Sequence, residues 1–92
     1  MMVVRKKNGL KEEFNISKVI RSIENAAKDI NINLTESDLS NASRLIENFL
    51  KAEGREETSS YEIFGAIVFK LKELDYKNVA QSYVRGALGL DK

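Results

Sequence analysis

VVRKKNGLKEEFNISKVIRSI, residues 3–23, decides the fold. At its centre, Asn8-Gly9 is a two-residue turn signal. A type I′ turn needs positive φ at both central positions, and Asn and Gly tolerate this best. Counting outward from the turn predicts a hairpin over residues 2–14. Lys7 then faces Leu10, Lys6 faces Lys11, Arg5 faces Glu12, Val4 faces Glu13 and Val3 faces Phe14. Arg5/Glu12 is a cross-strand ion pair in this register. Lys6/Lys11 is repulsive, at a cost of roughly a few tenths of a kcal/mol or more. An isolated hairpin is marginal in water, so this one must pack on the rest of the chain.

The rest of the chain reads as helices. Ile16, Val19, Ile20, Ile23, Ala26, Ala27 and Ile30 recur at helical spacing behind Asn15, a good N-cap. Residues 31–34 read as a connection. Thr35 opens a second helix, with Asp38 completing a variant capping box and Gly54 ending it. Residues 55–57 read as a polar loop. Ser59 or Ser60 caps a third helix, Ser59 with Glu62 forming a capping box, and Val79 to Leu88 supplies the apolar face of a fourth. The expected helices run over about 16–30, 36–53, 60–74 and 77–88, in one domain spanning 1–92. The expected class is mainly α, an antiparallel four-helix bundle capped by an N-terminal β-hairpin.

Composition narrows the function. The 92 residues carry a formal net charge of +1, which argues against general nucleic-acid or membrane binding. The chain contains neither Cys nor His, which removes thiol catalysis, histidine acid–base chemistry, disulfides and the usual zinc sites. No apolar run is long enough to span a membrane and no signal peptide opens the chain, so a cytoplasmic protein is expected. Carboxylates are scattered, and no catalytic constellation is visible. The exception to this even spread is the N-terminal group Arg5, Lys6, Lys7 and Lys11, joined by Lys18 in the first turn of the first helix. Lysines beside the amides of a helix N-terminus suit an anion. A polyphosphate would also relieve the Lys6/Lys11 repulsion. Neither a P-loop nor a Rossmann glycine pattern is present.

These residues resemble a known family. Val4-x-Lys6-Lys7-Asn8-Gly9, followed by Glu12-x-Phe14-Asn15-x-x-Lys18-Val19, is similar to the opening of the ATP-cone family. That family typically begins V-x-K-R-x-G and continues with a hydrophobic residue, Asn or Asp, and a Lys three positions on. Ser59 to Ile63 looks like the start of its third helix, and Val79 to Val84 like its V-A-x-x-Y closing helix. The resemblance covers essentially the whole chain. It implies a small regulatory domain that binds ATP or dATP, with Mg²⁺ on the nucleotide. Such domains occur at the N-terminus of ribonucleotide reductase large subunits and in the zinc-ribbon repressor of reductase genes. In the reductases ATP supports activity and dATP switches it off through oligomeric state.

Carried over position by position, the resemblance implies that Val4, Lys6, Lys7, Glu12, Asn15, Lys18 and Val19 contact the nucleotide. The lysines would hold the triphosphate. Glu12 and Asn15 would meet the base, the ribose or a Mg²⁺-bound water, and Val4 and Val19 would supply apolar wall. Ser60 and Phe64 would form the opposite wall. Lys7 departs from the family's Arg, replacing a bidentate fork with a point charge. The chain has no reductase barrel, catalytic cysteines or zinc-ribbon cysteines. It is therefore expected to be a regulator and not an enzyme, either an excised domain or, as its fraying end over 86–92 favours, a free-standing one. Implied partners are a ribonucleotide reductase subunit and further copies of the chain in a nucleotide-dependent oligomer. Two other readings remain open at this point: a protein-interaction bundle whose lysines serve an acidic partner, and a small DNA-associated regulator.

Overall fold

The computed structural model describes residues 1–89, so part of the expected C-terminal fray, residues 90–92, lies outside the described residues. Four helices, α1 (Ile16–Lys28), α2 (Glu36–Leu50), α3 (Ser60–Glu73) and α4 (Lys77–Leu88), carry most of the chain. Three short strands, β1 (Val3–Arg5), β2 (Lys11–Glu13) and β3 (Glu57–Ser59), form a small sheet. The first three helices begin at side-chain caps. Asn15 Oδ1 accepts the Ser17 amide at 2.9 Å, and Thr35 and Asp38 satisfy each other's backbone amides at 3.0 and 3.1 Å. Ser59 Oγ accepts the Glu62 amide at 3.2 Å. The Glu62 carboxylate turns instead to Arg55 and, at 3.4 Å, to the Thr58 hydroxyl.

Helix ends are shorter than the apolar stripes suggest. α1 stops at Lys28 because the Ile30 amide tightens onto Ala27 (3.1 Å) and Asn31 turns left-handed at φ 61°. α2 stops at Leu50, not at 53. Glu53 at φ 61° and Gly54 at φ 73° break the helical path in a single 3₁₀ turn. Leu74, expected inside α3, is its C-cap.

α1 packs on α2 and α4, and α3 packs on the same two helices, so the four enclose one core. Ile23, Ile46, Leu50, Ile67, Leu71 and Val79 are fully buried there. Each such side chain contributes about 1.5–3 kcal/mol relative to exposure. A buried polar contact crosses the α1–α4 seam. The Ser82 hydroxyl, on a residue only 4% exposed, donates to the Ala26 carbonyl at 2.6 Å.

The cap is not the simple hairpin expected. It is a three-stranded mixed sheet in the order β2-β1-β3, with β1 antiparallel to β2 and parallel to β3. The segment read as a polar loop at 55–57 thus ends in a strand. The register also differs by one residue from that predicted. Val3 pairs with Glu13, Val4 with Glu12 and Arg5 with Lys11. The Lys6 amide then donates to the Leu10 carbonyl at 2.8 Å, and the Gly9 amide returns to the Lys6 carbonyl at 3.0 Å. Lys7-Asn8-Gly9 is therefore a three-residue connection. Positive φ falls on Gly9 (85°) and not on Asn8, whose side chain accepts the Leu10 amide at 3.0 Å. That Asn side-chain bond favours the longer connection, a turn followed by a left-handed glycine.

A slip of one residue moves every side chain on one strand to the other face. Val4, Thr58 and Glu12 now share the face towards the helices, with Val4 and Thr58 buried. Arg5, Lys11 and Glu57 share the outer face, where Glu57 pairs with both cations at 3.2 and 3.3 Å. The expected Arg5/Glu12 pair and the Lys6/Lys11 repulsion are both absent from this arrangement. Glu57, from the strand that sequence reading missed, balances the outer face.

Candidate functional site

Between the sheet, the start of α1 and the first turns of α3 lies a cleft of about 170 Å³. Val4, Glu12, Asn15, Lys18, Val19 and Ser60 line it, so the structure brings together six of the nine residues singled out from sequence. Lys6, Lys7, Asn8 and Ser60 line an adjoining hollow of about 290 Å³. Ser60 borders both, which sets a cleft of mixed lining, with Val4, Val19, Ile63 and Ile67 among its walls, beside a hollow bordered by two lysines. Phe64 is not in the lining of either. Its ring lies 5.5 Å from that of Tyr83, which is in the lining of the cleft.

The sequence argument passed over Ser22, Ile63, Ile67 and Tyr83, all of which line the cleft. Tyr83 was visible as a member of a family-like motif, but no charge or spacing assigned it or Ser22 to a site. Tyr83 is half-buried, and burial raises its phenol above the ordinary value.

Charge in the cleft centres on Glu12. Its two oxygens hold one lysine each, Lys6 at 3.4 Å and Lys18 at 3.5 Å. Partial desolvation pushes the Glu12 carboxyl up, but the Lys6 hydrogen bond and the Lys18 charge outweigh it and hold it below its ordinary value. All three groups remain solvent-accessible, so the attraction is screened and modest. Lys7 extends instead over the exposed Tyr61 ring, 5.6 Å from its centroid, a cation–π contact at the mouth of the basic hollow.

The first-turn amides of α1 contribute less than the sequence suggested. Asn15 takes both the Ser17 amide, through its side chain, and the Lys18 amide, through its carbonyl at 3.1 Å. Attraction for an anion therefore comes from the Lys6, Lys7 and Lys18 ammonium groups. No cluster of three or more acidic side chains suited to a metal occurs among the described residues. Glu12 is already committed to two lysines, so these residues do not build a Mg²⁺ site.

A larger hollow, about 810 Å³, lies at the opposite end of α1. Among the described residues its lining carries Asp29 and one cation, Arg85, and it borders Gly89, the last described residue. It gathers, among the described residues, fewer cations than the Lys6, Lys7 and Lys18 group. Among the described residues no helix is long and apolar enough to cross a membrane.

The chain is 39% identical over 74 residues to the transcriptional repressor NrdR of Persephonella marina. The alignment covers 80% of this chain and 47% of the repressor, so the chain spans about half the length of that relative. The ATP cone domain family matches residues 2–85, from the buried Met2 under the sheet to Arg85 near the end of α4. The chain belongs to the ATP cone domain family.

Proposed function

We propose that this chain is an adenine-nucleotide sensor, a non-catalytic regulatory domain that binds ATP or dATP and passes the result to ribonucleotide reductase activity or expression. The observation that carries this reading is the junction at Ser60, which borders both a cleft walled in part by Val4, Val19, Ile63 and Ile67 and a hollow bordered by Lys6 and Lys7. The base enters the cleft between Val4 and Val19. The triphosphate lies towards Lys6, Lys7 and Lys18, and Asn15 and Ser60 stand between the two. Glu12 occupies the lysines until phosphate replaces it, which leaves its carboxylate available to the ribose or base. Mg²⁺ arrives, on this reading, with the nucleotide. Residues 1–92 act as one domain.

The resemblance to a repressor favours control of expression over direct control of a reductase subunit. The repressor's own activity belongs to a chain about twice this length. Direct contact with nucleic acid is for that reason not assigned to this domain, whose net charge is +1. Any change in self-association between ATP and dATP would follow from different affinities of the two nucleotides for different assemblies.

Thermal unfolding with each nucleotide tests the reading. A ligand at 100 times its Kd adds about 2.7 kcal/mol. For a domain of this size that raises Tm by about 10–20 °C. Lys6→Ala and Lys18→Ala are expected to remove most of the shift. An unchanged Tm at saturating ATP and dATP would refute nucleotide binding, and a full shift in both variants would place it elsewhere.

A further inference from the structure

Tyr83 lines the nucleotide cleft, yet nothing in the charge pattern calls for it. Its ring is backed by Phe64, with centroids 5.5 Å apart and planes 33° from parallel. Phe64, expected from sequence to touch the nucleotide, therefore acts one layer behind, as the support of a second ring. Tyr83 also borders, with Ser22, a separate hollow of about 310 Å³ between α1 and α4, so it stands between that groove and the cleft. The remaining apolar lining, Val4, Val19, Ile63 and Ile67, is aliphatic and offers no flat surface. Phe14 is the other ring in the lining, but the Lys51 ammonium lies over it at 5.9 Å and its amide is tied to Met2 at 2.8 Å.

We propose that Tyr83, braced by Phe64, is the surface on which the base of the bound nucleotide stacks, and that this contact separates nucleotides from other polyphosphates. The inference rests on the nucleotide reading above. A braced half-buried ring loses little freedom when a planar guest lies on it, and base–aromatic stacking is a general source of affinity. Tyr83 is absent from the lining of the Lys6/Lys7 hollow, so its effect falls on the base and not on the phosphates. The hydroxyl has no part in stacking, which makes phenylalanine an adequate replacement.

The test compares ATP with inorganic tripolyphosphate by titration calorimetry on the full chain. Stacking is worth about 1–3 kcal/mol per base. Tyr83→Ala is therefore expected to weaken ATP about tenfold or more and to leave tripolyphosphate within about twofold of wild type. Tyr83→Phe is expected to keep wild-type affinity for both. Tyr83→Leu, which fills the space without a ring, is the substitute if the alanine variant unfolds, and is expected to show the same selective loss. Tyrosine fluorescence adds an independent signal, since the chain has no Trp: ATP should quench the wild type more than Tyr83→Phe, and tripolyphosphate should quench neither. Equal loss of ATP and tripolyphosphate, or no loss of either, overturns the stacking role while nucleotide binding by the wild type stands. A wild type that binds neither probe overturns both proposals.

Discussion

Ser82→Ala deletes one oxygen, yet the structure makes it a costly change. The Ser82 hydroxyl donates to the Ala26 carbonyl at 2.6 Å across the α1–α4 seam, and both residues are buried. Ala26 stands in the last turn of α1. In a continuing helix its carbonyl would accept the Ile30 amide, but that amide goes to Ala27 at 3.1 Å instead. Removing the hydroxyl leaves a buried acceptor without this donor, at a cost of about 1–3 kcal/mol. Alanine's better helix propensity returns about 0.5 kcal/mol. The net expectation is a loss of about 1.5 kcal/mol, or a fall in Tm of about 6–12 °C. Ser43→Ala is the matched control. Ser43 is as buried as Ser82, but its hydroxyl bonds Ser40 within its own helix at 3.0 Å, where the carbonyl keeps its helical partner. That variant should stay within about 0.5 kcal/mol of wild type. Calorimetric melting of the three proteins decides the matter. Equal Tm values for Ser82→Ala and Ser43→Ala would refute the argument that the orphaned carbonyl sets the cost.

Backbone and charge give further expectations. Gly9→Ala is expected to destabilise by about 1–2 kcal/mol, because φ is 85° there and an L side chain is strained at that angle even though its Cβ meets nothing within 4 Å. Gly65→Ala, on an exposed turn of α3 with equally open space and no positive φ, is expected to stabilise by up to about 1 kcal/mol, and urea unfolding compares the two. Stability is expected to fall with acid. The Arg55 hydrogen bond holds Glu62 below its ordinary value, and the Thr35 amide does the same for Asp38. Both contributions are complete above the usual carboxylate range near about 4, and they disappear as pH falls through the lowered folded-state values. Glu62→Gln should flatten the Tm profile in that window, and an unchanged profile would mean the Arg55 pair contributes nothing to folding.

Much of this was legible in sequence because it is local. Asn15, Thr35 with Asp38, and Ser59 announce where helices start, and each caps as its chemistry requires. Six expected site residues meet in one cleft because Val4, Glu12, Asn15, Lys18 and Val19 lie on neighbouring elements early in the chain, facing Ser60 at the start of α3. What escaped is non-local. Nothing in Glu57-Thr58-Ser59 marks a strand until β1 lies beside it. The hairpin register depended on whether Asn8 would adopt positive φ or use its side chain on Leu10, and composition alone does not separate the two. That choice decided whether Glu12 faces Arg5 or bridges Lys6 and Lys18. Tyr83 was likewise an ordinary apolar position, and Phe64 an expected wall of the nucleotide site, until packing set their rings together.

The parallel pairing of β1 with β3 has a kinetic consequence. It joins the start of the chain to a strand beyond its midpoint, with α1 and α2 between them. Contacts of such sequence separation carry a closure cost before they reward the chain, and they slow folding. The lysines near the hairpin tip come off the ribosome before β3, but their geometry waits for it. A nascent chain that ends before Glu57 holds Lys6, Lys7 and Lys18 but not Ser60, Ile63 or Tyr83, so the cleft between sheet and helices is completed only with the second half of the fold.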